Sequence, residues 1–212
     1  MLRRIAPDLV IDVGANRGQF TLDVVSALPS ARVIAFEPLP SEAAVFRRIF
    51  ASHPNVELRT HALGSKSERR EMHIAKAADS SSLLDFTPRQ EAINPGTGVV
   101  GAVDVDVLTL DQVLDDLFAD RSLPRPSLLK ADVQGYELEV LRGGERHLSA
   151  LGWIYVEVSF VELYRGQPLA YEVVNYLSPR GFGLVDAVIS SRLRGRSIQA
   201  DFLFENGRAV DK

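Results

Sequence analysis

The chain has 212 residues, 46% hydrophobic and 25% charged, the balance of a globular protein rather than a disordered or collagen-like one. Its 24 Lys and Arg against 28 Asp and Glu leave a formal charge of −4, without the basic footprint of a general nucleic-acid binder. It has no cysteine, which excludes disulfide scaffolds, thiolate-held zinc or iron–sulfur clusters, and thiol catalysis.

No apolar run approaches the roughly 18 residues of a membrane span. The opening MLRRIAPDLVIDVG lacks the apolar stretch of a signal peptide, because Pro7 and Asp8 interrupt it. A cytoplasmic location is the expectation. The length suits one domain over 1–212 with an inserted lobe at about 66–108.

Leu9 to Gly14 is a short apolar run closed by glycine, the pattern of a buried parallel strand. A helical pattern with Phe20, Val24, Ala27 and Leu28 on one face follows and stops at Pro29. Arg32 to Phe36 reads as a second strand, ended by Glu37-Pro38. Ser41 is placed to cap a helix carrying Val45, Phe46, Ile49 and Phe50. Val56 to Leu58 is a third strand. This β-α-β-α-β alternation builds a doubly wound α/β sheet through right-handed crossovers.

The rhythm then breaks. Glu71–Ile74 and Val103–Val107 alternate like half-exposed strands, and Ala77 to Gly101 reads as a long loop. Thr109-x-x-Gln112 is a capping box. Ser127–Asp132 and Ile154–Val158 are the fourth and fifth core strands, with helices over Tyr136–Arg142 and Ala170–Leu177. Phe182–Ile189 and Ile198–Phe204 form a closing antiparallel hairpin.

Asp12-Val13-Gly14-Ala15-Asn16-Arg17-Gly18 lies where the first strand turns into the first helix. Glycines let the backbone approach a ligand, and the helix start offers unpaired N–H groups. Asn16 and Gln19 break the G-x-G-x-x-G dinucleotide pattern, and no lysine completes a phosphate loop. Asp12 can orient the cradle and attract an ammonium. Glu37, at the end of the next strand, can take both hydroxyls of a ribose. A nucleoside that carries an amino acid is S-adenosylmethionine (SAM), so SAM is the expected cofactor, bound by Asp12, Gly14, Ala15, Asn16, Gly18, Glu37 and Pro38.

IDVGANRGQF, AFEPLP, ALGS, SSSL, LLKADVQGYELEVLRGG and QADFLFEN together resemble the FkbM family of SAM-dependent methyltransferases. The resemblance runs over residues 8 to 206. Its most specific part is Lys-x-Asp-x-x-Gly-x-Glu, here Lys130, Asp132, Gly135 and Glu137. The family usually has Glu where this chain has Gln134. The resemblance implies a seven-stranded class I methyltransferase (Rossmann-like) sheet with an antiparallel last strand. It also implies methylation of a hydroxyl on a sugar, glycolipid or natural product.

His61 and Ala62 follow the third strand on the same edge and are candidates for the adenine pocket, with backbone groups doing the recognition. Asp132 and Glu157 end adjacent strands and are the candidate catalytic carboxylates. Ser81, Ser82 and Tyr136 are the candidate acceptor contacts, and the Ala77–Gly101 loop is the expected selector of the acceptor. The four histidines, His53, His61, His73 and His147, lack metal-ligand spacing, so no metal site is expected. Arg192, Arg194 and Arg196 cluster near the last turn as a solvated basic tip. A small-molecule or glycan hydroxyl is the expected partner, with no nucleic acid and no transmembrane segment. The rival reading is a non-catalytic SAM-binding or interaction protein on the same fold, since fold alone does not fix function.

Overall fold

Leu9–Val13 (β1) is buried at every position, which is what a central parallel strand covered on both faces requires. In the computed structural model, which describes residues 1–119 and 122–207, it pairs in parallel with Arg32–Phe36 (β2) on one side and Ser127–Ala131 (β7) on the other. Val56–Arg59 (β3) extends the sheet beyond β2, and Trp153–Ser159 (β8) extends it beyond β7. Two long strands close it, Phe182–Leu193 (β9) and Arg196–Asn206 (β10). The order is β3-β2-β1-β7-β8-β10-β9, and β10 runs antiparallel to both of its neighbours. The expected seven strands with one reversed strand are therefore present. The closing strands are longer than the sequence pattern suggested, because β9 is an exposed edge with little apolar periodicity to mark its extent.

Helices cover both faces. Leu2–Ile5 (α1), Gln19–Ala27 (α2) and Pro40–Ile49 (α3) lie on one side, packed over Val10, Val33, Ala35 and Leu128. Leu110–Phe118 (α5), Glu137–Gly143 (α6) and Ala170–Leu177 (α7) lie on the other, over Ile11, Ile34, Leu129 and Ile154. The capping box of α5 is formed by Thr109 and Gln112. Ser41 is not a cap. The helix α3 begins one residue earlier, at Pro40, with Leu39 as its N-cap, because proline's fixed φ suits the first helical turn.

The segment after β3 builds a second, three-stranded sheet. Glu68–Ala75 (β5) and Val99–Leu108 (β6) are antiparallel, and Ala62–Leu63 (β4) joins β6 in parallel. Ala77–Gly101 is not a loop throughout. It holds a 3-10 turn at Ala78–Ser80, the short helix Pro88–Ile93 (α4) and the start of β6. Pro88 opens α4 after Thr87, whose hydroxyl donates to the Leu163 carbonyl at 2.7 Å, and Phe86 packs on the Tyr164 ring. No helix among the described residues is long and apolar enough to cross a membrane. The last residues of the expected unit, 208–212, lie outside the described ones.

The first turn depends on Gly14. Its φ is +77°, and a Cβ there would sit 1.9 Å from the Asp132 carbonyl oxygen, so the β1 and β7 strand ends approach closer than any side chain permits. Gly96 has a similar φ of +89°, and a Cβ there would meet nothing within 4 Å among the described residues. Gly96→Ala is therefore expected to cost only the left-handed backbone penalty, about 1–2 kcal/mol. Gly14→Ala adds a backbone clash and is expected to cost well beyond that. Urea denaturation of the two variants checks the ranking, and equal losses would contradict it.

Candidate functional site

The C-terminal ends of β1, β2, β7 and β8 open into a cavity of about 380 Å³. A crevice beyond the carboxyl ends of the strands is where open α/β sheets place ligands. Here β1 is flanked by β2 and β7, and the chain reverses its direction of winding at that point.

Asp12 and Lys130 stand directly opposite in the β1–β7 register. They therefore project to the same face, side by side. Lys130 Nζ lies 3.2 Å from Asp12 Oδ1 and 3.8 Å from Asp132 Oδ2. It also donates to the Gly14 carbonyl at 2.9 Å and the Val13 carbonyl at 3.3 Å. Burial works against its charge, but the facing carboxylates of Asp12 and Asp132 prevail and raise its pKa. Asp12 is fully buried and accepts from the Thr21 hydroxyl at 2.7 Å. The expectation that Asp12 attracts a ligand ammonium is thus corrected: it is beneath the cradle and already paired with Lys130. Gly18 is corrected too. It lies outside the cavity wall and packs against Phe50 and Phe46 instead.

Gly14, Ala15 and Asn16 do line the cavity, together with Glu37 and Pro38. Amides of Gly14 and Ala15 donate to the Phe36 carbonyl at 3.1 and 2.9 Å, tying the first turn to the end of β2. Glu37 accepts one backbone amide on each oxygen, Asn16 N–H at 2.9 Å and Leu39 N–H at 2.8 Å. The residue is 5% exposed. Desolvation outweighs those two donors and pushes its pKa up to about 7. His61 and Ala62 line the same wall. The imidazole meets Phe36 edge-on at 5.4 Å. Burial first, and Arg59 second, lower its pKa, which keeps the ring neutral.

Asp132 and Glu157 face each other at the other end of the cavity. Gln134 stands between them, its Nε2 donating to Asp132 Oδ1 at 2.9 Å and Glu157 Oε2 at 3.1 Å. Glu157 Oε2 also accepts from Gln199 at 2.9 Å. Burial, then the Asp132 charge, drives the Glu157 pKa well above the usual carboxylate range. Glu137 lies behind them, its Oε1 accepting the Val133 and Gly135 amides at 3.0 Å each, and its pKa is pushed up to about 7 by burial. Oxygens of Asp132, Glu137 and Glu157 lie within 4.8 Å of one another, a carboxylate group the sequence pattern had not brought together.

The acceptor candidates divide. Tyr136 reaches the cavity, its hydroxyl accepting from Arg70 at 2.7 Å. Ser81 also reaches it, but its Oγ accepts the Ala75 amide at 3.1 Å. Ser82 does not reach it. Its fully buried hydroxyl donates to the Gln134 carbonyl at 2.7 Å and accepts from Leu84 N–H at 3.0 Å, a structural role. Asp79, Met72 and Leu83 line the insertion side of the cavity, and Tyr155 and Asp201 the sheet side. None of these was singled out from the sequence. Asp201 gave one signal, a lone acid inside an apolar strand. Arg192, Arg194 and Arg196 stand at the tip of the β9–β10 hairpin, away from the cavity wall.

A seven-stranded sheet with one reversed strand near its edge, helices on both faces and a crevice over β1 defines the class I methyltransferase architecture. The chain belongs to the FkbM methyltransferase family, whose model, described as "Methyltransferase FkbM domain", matches residues 12–184. It is 27% identical over 161 residues to Methyltransferase 1 of Beauveria bassiana, covering 70% of this chain and 64% of that protein. It is 28% identical over 164 residues to the 2-O-methyltransferase NoeI of Sinorhizobium fredii, covering 76% of this chain and 68% of that one. The chain thus spans about two thirds of the length of these relatives. Among solved structures it resembles an rRNA methylase from Streptococcus thermophilus, with a TM-score of 0.52, 14% identity and coverage of 97% and 91% of the two chains.

Two buried acids with a pKa raised to about 7 give a signed pH dependence. The folded protein holds these protons more tightly than the unfolded chain, whose glutamates titrate near the ordinary 4.5. Stability is therefore fullest below the unfolded value and falls as pH rises toward about 7, by roughly 1–3 kcal/mol per group. Thermal melts across that window are expected to show Tm declining with pH and then levelling. A Tm that climbs steadily through the window would contradict the assignment.

Proposed function

We propose that this protein transfers the methyl group of SAM to a hydroxyl of a sugar, glycolipid or natural product. The observation that carries the reading is one cavity with Glu37 at one end and Asp132 at the other, joined by the Gly14–Asn16 turn. Support for a hydroxyl acceptor comes from the relative named as a 2-O-methyltransferase. We further treat residues 1–212 as one unit, with the small sheet as its insertion.

The residues present fit SAM. Glu37 spends one lone pair of each oxygen on a backbone amide, and the remaining pairs can accept two ribose hydroxyls. His61 and Ala62 would flank the adenine, and the Gly14–Asn16 turn would follow the methionine portion. SAM supplies an electrophilic methyl group on a sulfonium. The protein's task is to hold the acceptor oxygen in line with it, and such positioning can supply about 7–11 kcal/mol of the barrier.

A hydroxyl is a weak nucleophile until its proton has somewhere to go. As the new O–CH₃ bond forms and the S–CH₃ bond breaks, the hydroxyl proton must leave. In this reading Asp132 takes it. Its side chain is 38% exposed, so it can pass the proton on to solvent. Burial and the Asp132 charge raise the Glu157 pKa, so it yields its proton less readily than an ordinary carboxyl, which suits it to orient rather than to accept. Tyr136, Ser81 and the rest of the insertion wall would contact the acceptor.

SAM, or its demethylated product, is expected to raise Tm by several degrees, since about 2.7 kcal/mol is added at 100 times Kd. NAD is expected to leave Tm unchanged. In turnover assays with labelled SAM and a panel of sugar, glycolipid and polyketide hydroxyls, Asp132→Asn should lower kcat by about 10²–10⁴-fold. A shift with NAD and none with SAM, or wild-type kinetics in Asp132→Asn, would sink the reading.

A further inference from the structure

Two carboxylates that share a pocket repel each other unless something stands between them. The residue between Asp132 and Glu157 is Gln134. Its Nε2 carries two hydrogens, and it has two acceptors, Asp132 Oδ1 at 2.9 Å and Glu157 Oε2 at 3.1 Å. The other end of the amide, Oε1, lies 2.9 Å from the Tyr164 hydroxyl. The reverse orientation would aim an amide oxygen at two carboxylates. Tyr164 is itself fully buried, and its hydroxyl accepts from Gln90 at 3.0 Å and reaches the Ser80 carbonyl at 2.9 Å.

The backbone there is held as firmly as the side chain. Gln134 has φ +54°, a left-handed conformation, and Gly135 follows at +98°. Non-glycine residues persist in that region where their surroundings over-determine them. Here the amides on either side of Gln134, at Val133 and Gly135, both donate to Glu137 Oε1. The Gln134 carbonyl takes the Ser82 hydroxyl at 2.7 Å.

We infer that Gln134 is a positioning residue, an amide clamp that holds Asp132 and Glu157 together and fixes Asp132 for its part in the transfer. The inference deepens the proposed function by naming what aims the proton acceptor. The clamp leaves Asp132 Oδ2 toward Lys130 and the cavity while Oδ1 is held. A glutamate in its place would add a further carboxylate to the pocket and remove both donors.

The charged and titratable groups around the clamp are Lys130 on β7, Asp132 just past its end, Glu137 on α6, Tyr155 and Glu157 on β8, Tyr164 in the following loop and Asp201 on β10. An N–H donor favours the ionised form of a carboxylate. Removing the clamp therefore raises the folded-state pKa of Glu157 further and makes the variant lose stability, relative to the native protein, as pH rises.

The test is thermal melting of the full chain without cofactor or acceptor, so failure here is distinct from failure to bind SAM. Gln134→Met is expected to lower Tm by several degrees at about pH 8 and by less than half as much at about pH 5. Gln134→Glu, which keeps the side-chain size, is expected to show the same widening with a larger loss. In a Glu157→Gln background, where the second charge is gone, the cost of Gln134→Met should shrink by at least half. A loss independent of pH and fully additive with Glu157→Gln would reduce Gln134 to packing and overturn the inference. So would a rise in native Tm with Mn²⁺ alone that Asp132→Asn abolishes, because the carboxylates would then be held for a cation rather than by the amide.

Discussion

One buried ammonium organises the C-terminal edge of this sheet. Lys130 Nζ sits among Asp12, Asp132 and the carbonyls of Val13 and Gly14. A charge taken out of water must find partners, and a lysine so enclosed fixes every group it touches. The β1 turn cannot rotate its carbonyls away without stranding that charge. Asp12 cannot turn toward a ligand for the same reason. The close approach at Gly14 follows, since Lys130 and the Asp132 amide both hold the end of β1 against β7. A buried ion pair of this kind adds little net stability over an apolar substitute. Its contribution here is to define one geometry for the turn.

The cavity above this anchor is unusual in its acids. Glu37 spends a lone pair of each oxygen on backbone amides, and Glu137 receives two amides on one oxygen. Each is a carboxylate used as a backbone clasp, and burial raises both toward neutral pH. Asp132, partly exposed and beside Lys130, is the acid left with water access and a cationic neighbour. Asp132 and Glu157 thus share the Gln134 amide but differ in their surroundings: Asp132 keeps water access, while burial raises the Glu157 pKa.

Much of this was legible in the chain, and the limits have physical reasons. The doubly wound core could be read because β1, β2 and β7 are short apolar runs bounded by glycine, proline or acid. The reversed β10 followed from the hairpin spacing. Glu37 and Asp132 could be placed at the cavity edge because each acid follows the end of a core strand. The partner of Asp12 was not legible, since it lies on a strand 118 positions further on, as 130 − 12 shows. A lysine inside the apolar run Ser127–Ala131 was the clue. Ser82 was misplaced because a serine-rich stretch looks the same whether its hydroxyls face a ligand or cap backbone, and Ser82 does the latter. The α4 helix was missed because six residues of mixed polarity carry no periodicity. Gln134 could be seen as a departure from a family pattern, yet only its contacts with Asp132 and Glu157 give that departure a meaning.

If the Lys130 anchor sets the geometry on which ligand binding rests, then removing it without leaving a bare charge should separate folding from binding. The double variant Asp12→Asn, Lys130→Met removes both charges at similar volume and is expected to stay folded, since such replacements are often near neutral in stability. Calorimetric titration of SAM into that folded variant is the direct measurement. An affinity lower by at least about tenfold, equivalent to about 1.4 kcal/mol, is expected. Binding at the native affinity would contradict it.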